Sequence, residues 1–179
     1  MIVAMGVLHK QYGLKELVVA SYQAASGAGQ SGIDTLRDQI SKVANTSAGD
    51  MAGDVRKVIS DHGPFPAPLA LNVIPWAGSL KEDGYSSEEL KVRNESRKIL
   101  GIANLKVSAT CVRVPVLTTH SLAVHAIFEK EVSRQVAQDV LKNAAGVELV
   151  DDPENHKFPT PADVVGTDPT SVGRVRKSL

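Results

Sequence analysis

Several features that mark particular classes of protein are scarce in this sequence. One cysteine, Cys111, occurs among 179 residues, which excludes a disulfide framework or a cysteine-based zinc site within one chain and favours a reducing cytoplasm. Aromatic residues make up only 4%, too few for a surface that stacks bases of single-stranded nucleic acid. Lys plus Arg equal Asp plus Glu at 20 each, so no net charge favours nucleic acid or an anionic membrane.

Long hydrophobic runs are also missing. No stretch approaches the ~18 apolar residues of a membrane-spanning helix, and the apolar start has no basic segment of the signal-peptide kind. The remaining composition, with 42% hydrophobic and 22% charged residues, is that of a globular protein. We therefore expect one domain over residues 1–179, located in the cytoplasm, with no nucleic-acid or membrane partner.

Both ends of the chain fall inside predicted elements. Residues 2–12 have apolar side chains at helical spacing and stop at Tyr12-Gly13, but no capping residue precedes them. Residues 171–179 alternate like a strand and end without a turn. The sequence therefore predicts either a piece of a longer enzyme or a short protein with frayed ends.

The patterns between the ends predict alternating strands and helices. Predicted strands cover 14–21, 69–74, 105–114, 121–128 and 147–150, and predicted helices cover 33–46, 86–100 and 133–144, with a further short helix possible within 51–60. Ser86 and Glu89 match a capping box. This order predicts an α+β fold with one mixed, largely antiparallel sheet and helices on one face.

A glycine motif, Gly27-Ala28-Gly29-Gln30-Ser31-Gly32, follows the first strand and opens a helix. It has the spacing of the dinucleotide-binding fingerprint, which also requires a second strand ending in an acid about 20 residues later. Asp50 and Asp54 have the distance, but no apolar strand precedes them. A nucleotide-binding domain, a local phosphate or cofactor contact, and a plain turn before a helix all remain open, with the plain turn favoured.

Polar residues in apolar surroundings mark a candidate site. Gln23 lies at the end of an apolar strand, and Arg113 lies inside the apolar run 111–116, where its charge needs a carboxylate, a phosphate or water. His120 follows at the start of the next predicted strand, close enough in sequence for a turn to hold it beside Arg113. Each of these residues also has a structural interpretation: a turn amide, a salt bridge or a lone histidine.

Glu88 and Lys91 lie three residues apart on one face of a predicted helix. Taken alone, they indicate a solvated ion pair of little energetic value. Cys111 lies inside a β-run, which favours a buried core thiol over a nucleophile. No histidine has the spacing of a metal site, so we expect no metal.

Four motifs in register resemble those of bacterial aspartate-semialdehyde dehydrogenases. They are Ser21-Tyr22-Gln23-Ala24-Ala25-Ser26-Gly27-Ala28-Gly29, Asn72-Val73-Ile74-Pro75, the helix 86–100, and Thr110-Cys111-Val112-Arg113-Val114-Pro115-Val116 with the later His120. The resemblance covers essentially the whole chain and is to the carboxy-terminal dimerisation and substrate half of the family. It implies that the amino-terminal nucleotide-binding half and its cysteine nucleophile are absent, since Cys111 does not match that nucleophile.

The resemblance implies an activity and a set of roles. The family reduces L-4-aspartyl phosphate to L-aspartate 4-semialdehyde with NADPH and releases phosphate, in lysine, threonine, methionine and diaminopimelate biosynthesis. The implied roles are general acid/base for His120, substrate orientation for Gln23, carboxylate binding for Arg113, ammonium binding for Glu88, phosphate binding for Lys91, and contact with the nicotinamide end of NADP for Ser26 and Gly27. A homodimer is implied as well.

Three hypotheses follow. The chain is the catalytic half of such an enzyme, inactive in isolation because its thiol is missing. Alternatively, it is a dimerisation module with no chemistry of its own. The third hypothesis is a free-standing NAD(P)-binding domain that uses the segment Gly27–Gly32.

Overall fold

The structure is a computed structural model, and it describes residues 1–44, 46–48 and 53–178. Its main helices and strands are, in chain order, α1 (Ile2–Tyr12), β1 (Leu14–Gln23), α2 (Gly29–Val43), α3 (Val55–Val58), α4 (Ser87–Leu100), β2 (Lys106–Arg113), β3 (Ser121–Phe128), α5 (Arg134–Lys142), β4 (Val147–Leu149), α6 (Pro161–Val164) and β5 (Thr170–Val172). Short 3₁₀ helices cover Ala25–Ala28, Glu82–Gly84 and Pro153–Asn155. The predicted α+β class is confirmed.

The described strands form two sheets. In the three-stranded sheet, β1 lies between β2 and β3, while β4 pairs in parallel with β5. The prediction placed all strands in one sheet, whereas the structure gives β4 and β5 a sheet of their own. Each of these two strands has only three residues, and their register places Val147 opposite Thr170 and Leu149 opposite Val172.

The predicted strand over 69–74 is wrong. Leu71 has a φ of 57°, and the N–H of Asn72 donates to the carbonyl oxygen of Leu69, so the chain turns at this point. Only Ile74 pairs with another segment, in an isolated antiparallel bridge. Leu69, Ala70 and Ile74 of this run are buried, whereas Leu71 and Val73 are 62% and 58% exposed. An apolar run of six residues does not by itself distinguish a strand from a turn.

A buried amide explains why this turn is tolerated inside the protein. Gln39 of α2 has no exposed surface, and its Oε1 accepts hydrogen bonds from the N–H groups of Leu69 and Ala70 at 2.8 and 3.1 Å. Its Nε2 donates to the carbonyl oxygen of Asp61 at 3.3 Å. These bonds supply the partners that a neighbouring strand would otherwise provide for buried backbone groups.

Helix boundaries differ from the predictions by a few residues. The helix predicted over 33–46 begins earlier, at Gly29, and ends at Val43. The helix predicted over 133–144 begins at Arg134. Ser133 caps it, because its Oγ accepts a hydrogen bond from the N–H of Val136. Part of the possible helix within 51–60 lies outside the described residues, and α3 occupies its later portion. No helix in the described part of the chain is both long and apolar enough to cross a bilayer.

The residues group into two compact units. The first comprises Met1–Ala20, Glu89–Ala109 and Leu122–Leu179, and the second comprises Ser21–Glu88 and Thr110–Ser121. The first unit has two apolar clusters, one around Leu17 and Leu105 and one around Leu8 and Leu141. The second unit has one cluster, whose buried members are Ala25, Leu36, Val43, Val55, Ile59, Phe65, Leu69, Ala70 and Ile74. The cluster of the second unit forms the core of the unit that contains most of the candidate site residues.

Candidate functional site

The candidate site lies where the chain leaves β1 and enters the first 3₁₀ helix. We call the segment Gln23–Gly27 the Ala24 turn. Its backbone is tied to the segment after β2, because Ala25 and Ser26 donate to the carbonyl oxygens of residues 116 and 117 at 2.8 and 2.9 Å. The carbonyl oxygen of Gln23 in turn accepts from the N–H of Val114 at 3.0 Å. Backbone hydrogen bonds therefore tie the turn to the segment that follows β2.

Arg113 reaches this turn from the end of β2. Because Ala109, Cys111 and Arg113 alternate on the buried face of the strand, Arg113 is only 6% exposed. Its Nη1 donates to the carbonyl oxygen of Ala24 at 2.7 Å, and its Cζ lies 5.9 Å from the centre of the Phe65 ring. The predicted charged group in an apolar run is thus anchored by a main-chain oxygen and an aromatic face.

The electrostatic surroundings of Arg113 come from its burial and from Glu88. Burial lowers the pKa of the Arg113 guanidinium, since the apolar surroundings disfavour charge. The carboxylate of Glu88 and the side chain of Cys111 raise the pKa and so offset part of that effect. An arginine remains protonated in any case, so the site holds a fixed positive charge close to a carboxylate.

His120 contacts the same turn from the segment before β3. It precedes β3 and follows Thr119, whose φ of 74° places a β-branched residue in the left-handed region. The Nδ1 atom of His120 accepts a hydrogen bond from the N–H of Ala24 at 3.0 Å, while the residue as a whole is exposed. Ala24 therefore binds His120 through its N–H group and Arg113 through its C=O group.

Gly27 provides the space between these two side chains. A Cβ atom at this position would overlap Nη1 of Arg113 and would lie 3.2 Å from Cε1 and 3.3 Å from Nε2 of His120. The structure thus brings Arg113, His120 and Gly27 together, as the sequence predicted for the first two. Gln23 is 6% exposed and continues the buried face of β1, and Ser26 is half-buried within the turn.

Glu88 lies at the start of α4. The helix start is fixed by Ser87, whose N–H donates to the carbonyl oxygen of Ser79 at 2.8 Å and whose Oγ accepts from the N–H of Ser79 at 3.0 Å. Glu88 is half-buried and raises the pKa of Arg113, so its carboxylate lies within electrostatic range of the guanidinium, and its role in binding stays a prediction. Lys91 lies one turn later on the same helix, is exposed and belongs to the first unit, so its assignment to the site stays a prediction.

Cys111 and the glycine motif, which also stood out in the sequence, have structural roles. Cys111 is fully buried in β2, which is the core position the pattern favoured. In the glycine motif, Gly29 has a φ of 73° where the 3₁₀ helix meets α2, and Gly32 packs directly against the carbonyl of Ala25. Between α2 and β2 the described residues hold no further strand of the kind the dinucleotide fingerprint requires.

Three residues of the site went unnoticed in the sequence. Ala24 acts only through its backbone N–H and C=O groups, so its residue type gives no sign of this role. Phe65 lies 48 residues from Arg113 in a loop rich in proline and glycine, so its ring contact had no local signal. Thr119 precedes a noted histidine, but a positive φ at a threonine is not foreseeable from propensity. Among the described residues no three His, Cys, Asp or Glu side chains gather as metal ligands would.

Comparison with known sequences gives consistent relatives. The chain is 46% identical over 172 residues to an aspartate-semialdehyde dehydrogenase of Corynebacterium melassecola, covering 95% of this chain and 48% of the relative. It is 47% identical over 172 residues to the one of Streptomyces akiyoshiensis, covering 94% of this chain and 49% of the relative. The chain therefore spans about half the length of the curated relatives it matches.

Comparison of the folds points the same way. The crystal structure of aspartate semialdehyde dehydrogenase II complexed with ASA from Vibrio cholerae matches all of this chain and 49% of that chain, with a TM-score of 0.89 and 33% identity. The family model described as "Semialdehyde dehydrogenase, dimerisation domain" matches residues 5–179. The chain thus belongs to the semialdehyde dehydrogenase dimerisation-domain family.

Proposed function

We propose that this chain is the substrate-binding and dimerisation part of an NADP-dependent aspartate-semialdehyde dehydrogenase. The reaction is the reduction of L-4-aspartyl phosphate by NADPH to L-aspartate 4-semialdehyde and phosphate, a step of lysine, threonine, methionine and diaminopimelate biosynthesis in the cytoplasm. The observation that carries the proposal is the convergence of Arg113 and His120 on Ala24, where both side chains also pack against Gly27. The names of the relatives and the Vibrio cholerae complex with ASA support the choice of substrate.

The two charged residues of the site suit the two charged groups of an amino-acid substrate. Arg113 uses Nη1 on the carbonyl oxygen of Ala24, which leaves the other donors of its planar fork for a carboxylate. Glu88, which already acts on Arg113 electrostatically, has the opposite charge required by the substrate ammonium. Opposite charges held close together match the carboxylate and ammonium groups of an aspartyl compound.

Gln23 and His120 are assigned to the reacting end of the substrate. The Gln23 backbone is fixed by Val114, so its buried side chain can orient the acyl group with little loss of entropy. His120 combines an anchored Nδ1 with an exposed ring and is assigned to hydrogen bonding and proton transfer at the acyl centre. Gln23 begins the Ala24 turn, and His120 contacts it through Ala24.

The remaining assignments follow the resemblance more than the geometry. Lys91 is exposed and is assigned to the phosphate group, for which an ammonium acts as a point charge. Ser26 and Gly27 are assigned to the nicotinamide end of NADP, which supplies or accepts hydride when bound. Gly27 is exposed, so a flat ring can reach its backbone from solvent.

The 179 residues by themselves are proposed to lack dehydrogenase activity. The only thiol in the sequence, Cys111, is fully buried within β2 and two residues from Arg113, so no thiol of this chain is available to attack the acyl carbon. Dehydrogenase turnover by the purified 179-residue chain would contradict this proposal.

The protein is also proposed to form a homodimer. Val18 of β1 is 43% exposed although its neighbours Leu17 and Val19 are buried, and Ile127 of β3 is 42% exposed between two residues that pack against the core. Because successive side chains of a strand alternate, both apolar side chains point away from that core. The name of the matched family model supports a second copy of the chain as the partner.

The test of this function uses the full-length protein. Phosphate, L-aspartate 4-semialdehyde and NADP should give L-4-aspartyl phosphate, NADPH and a proton, with NADPH followed by its absorbance. We expect turnover that depends on all three reactants and disappears in Arg113→Ala. A protein that is folded and dimeric but does not reduce NADP under these conditions would contradict the proposed activity.

A further inference from the structure

The guanidinium of Arg113 has an aromatic ring as a neighbour. Its Cζ atom lies over the Phe65 ring, 5.9 Å from the ring centre, which is within the ~6 Å of a cation–π contact. Both residues are nearly fully buried, at 6% and 7% exposure. A cation–π contact away from water is stronger than an exposed one, because little water competes for the cation. The contact is therefore strong enough to affect how the guanidinium is oriented.

Phe65 belongs to a loop whose two ends are hydrogen-bonded to one buried side chain. The loop covers residues 61–70, and we call it the Phe65 loop. Gln39 of α2 donates from Nε2 to the carbonyl oxygen of Asp61 at 3.3 Å, and its Oε1 accepts from two backbone N–H groups at the other end of the loop at 2.8 and 3.1 Å. Within the loop, the N–H of Phe65 donates to the carbonyl oxygen of His62 at 3.1 Å. The backbone that carries the ring is thus fixed on α2.

Two glycines of the motif make room for this contact. A Cβ atom at Gly27 would overlap Nη1 of Arg113, so the guanidinium lies against the main chain at this position. A Cβ atom at Gly32 would overlap the carbonyl oxygen of Ala25 and would lie 3.2 Å from Cζ of Phe65. One glycine therefore accommodates the guanidinium, and the other lets the ring approach the start of α2. This packing explains two positions of the motif without a dinucleotide.

A single hydrogen bond leaves the orientation of a guanidinium open. Nη1 of Arg113 donates to the carbonyl oxygen of Ala24 at 2.7 Å, and the group can still turn about the axis of that bond. An aromatic ring next to Cζ adds a second point of contact, which restricts this rotation. A carboxylate held by two parallel hydrogen bonds requires one orientation of the donors, so only the fraction of molecules in that orientation binds it.

We propose that Phe65 is a positioning residue, which holds the guanidinium of Arg113 by a cation–π contact in the orientation that binds the substrate carboxylate. Phe65 acts through Arg113 and does not itself contact the substrate. The identity of the substrate rests on the proposed function, whereas the position of the ring beside the guanidinium rests on the geometry of this chain. Because the contact serves binding, its loss should raise KM and leave kcat nearly constant.

The test varies the charge of the ring face and nearly keeps the shape of the ring. In the full-length protein, Phe65 is replaced by phenylalanines that carry one, two or three fluorine atoms on the ring, since each fluorine withdraws electron density from the face. We expect KM for L-aspartate 4-semialdehyde to rise with each fluorine, by about 3- to 30-fold for three, with kcat within twofold of the unchanged protein. A KM that stays constant along the series, or a fall in kcat that accounts for the whole loss, would overturn the proposal.

The matched control is the same series at Phe128. That ring packs against the two apolar clusters of the first unit. Because its neighbours there are apolar, fluorination should leave KM unchanged. An equal rise of KM at both positions would overturn the proposal, since it would show that fluorine acts through the fold and not through the guanidinium.

A second measurement needs no substrate. In full-length protein labelled with ¹⁵N-arginine, nuclear magnetic resonance reports the rotation of each guanidinium about its Nε–Cζ bond, and Arg113→Lys identifies the signals of Arg113. We expect slow rotation at Arg113 in the unchanged protein and faster rotation when Phe65 carries three fluorine atoms. Equal rates in the two proteins would overturn the proposal.

The positioning role and the proposed function fail in different ways. An active dehydrogenase in which neither KM nor the rotation of Arg113 responds to fluorine on Phe65 would overturn the role of Phe65 and leave the activity standing. A protein in which the rotation of Arg113 responds to fluorine, but which reduces no NADP, would overturn the function and leave the orientation of the guanidinium by Phe65 standing.

Discussion

Arg113 donates a hydrogen bond from Nη1 to the carbonyl oxygen of Ala24 at 2.7 Å, so a buried guanidinium is tied to the main chain just after β1. This contact uses one donor of the fork and fixes the plane of the others. A carboxylate that binds Arg113 therefore meets donors whose direction is already set, which reduces the entropy lost on binding.

Arg113→Lys should weaken substrate binding because an ammonium cannot hold the Ala24 carbonyl and grip a carboxylate with two parallel bonds at once. The loss of one or two charge-assisted hydrogen bonds predicts a rise in KM for L-aspartate 4-semialdehyde of about 10- to 100-fold. Steady-state kinetics of the full protein measures this. A KM equal to that of the unchanged protein would show that Arg113 does not bind the carboxylate.

Two glycines of one motif should respond differently to alanine. Gly27→Ala places a methyl group against Nη1 of Arg113 and near the ring of His120, so it should lower kcat/KM by more than tenfold. Gly29→Ala meets no atom within 4 Å, but its φ of 73° and ψ of −166° lie in a region essentially limited to glycine, so it should cost about 1–3 kcal/mol of unfolding free energy with little effect on kcat/KM. Urea denaturation and kinetics on both variants separate the effects, and equal kinetic losses would contradict the role of Gly27.

Gln39→Leu should be strongly destabilising. The change leaves the buried N–H groups of Leu69 and Ala70 without their acceptor, which costs about 2–5 kcal/mol of unfolding free energy. The control is Gln30→Leu on the same helix, where an exposed glutamine bonds only Asp34 and the change should be within about 0.5 kcal/mol. Denaturation midpoints that shift equally in the two variants would show that Gln39 does not hold the turn.

The proposed dimer predicts a position-dependent effect of charge. Ile127→Glu places a carboxylate on the outward face of β3 and should raise the dimer dissociation constant by more than tenfold, because its charge would be buried against the partner. Val165→Glu is the matched control, since Val165 is 52% exposed but lies outside the strands. Sedimentation equilibrium gives both constants. Retention of a tight dimer in the first variant would exclude this face of β3 from the interface.

Much of the site was accessible from the sequence because its key side chains break a pattern. Arg113 interrupts an apolar run and Gln23 lies at the end of another, so both stood out in the sequence as polar residues in apolar surroundings, and the structure buries both. The boundaries of β3 were predicted correctly from its alternating pattern. The expectation that His120 lies beside Arg113 depended in addition on the turn between the two predicted strands.

The contacts that join these residues could not be predicted, because they use the backbone. Ala24 holds two side chains through its N–H and C=O groups, which every residue but proline possesses. The mistaken strand over 69–74 has the same origin, since a glutamine 30 residues away supplies the bonds that a sheet would supply. A long-range hydrogen bond to a main-chain group does not depend on the residue type at that position, so the sequence gives no sign of it.

The measurement that tests the account most directly is the steady-state kinetics of His120→Ala in the full protein. If His120 donates a hydrogen bond to the reacting oxygen, kcat should fall by about 10²- to 10³-fold while KM for L-aspartate 4-semialdehyde changes by only a few-fold. A kcat within twofold of the unchanged protein would contradict a catalytic site at the Ala24 turn.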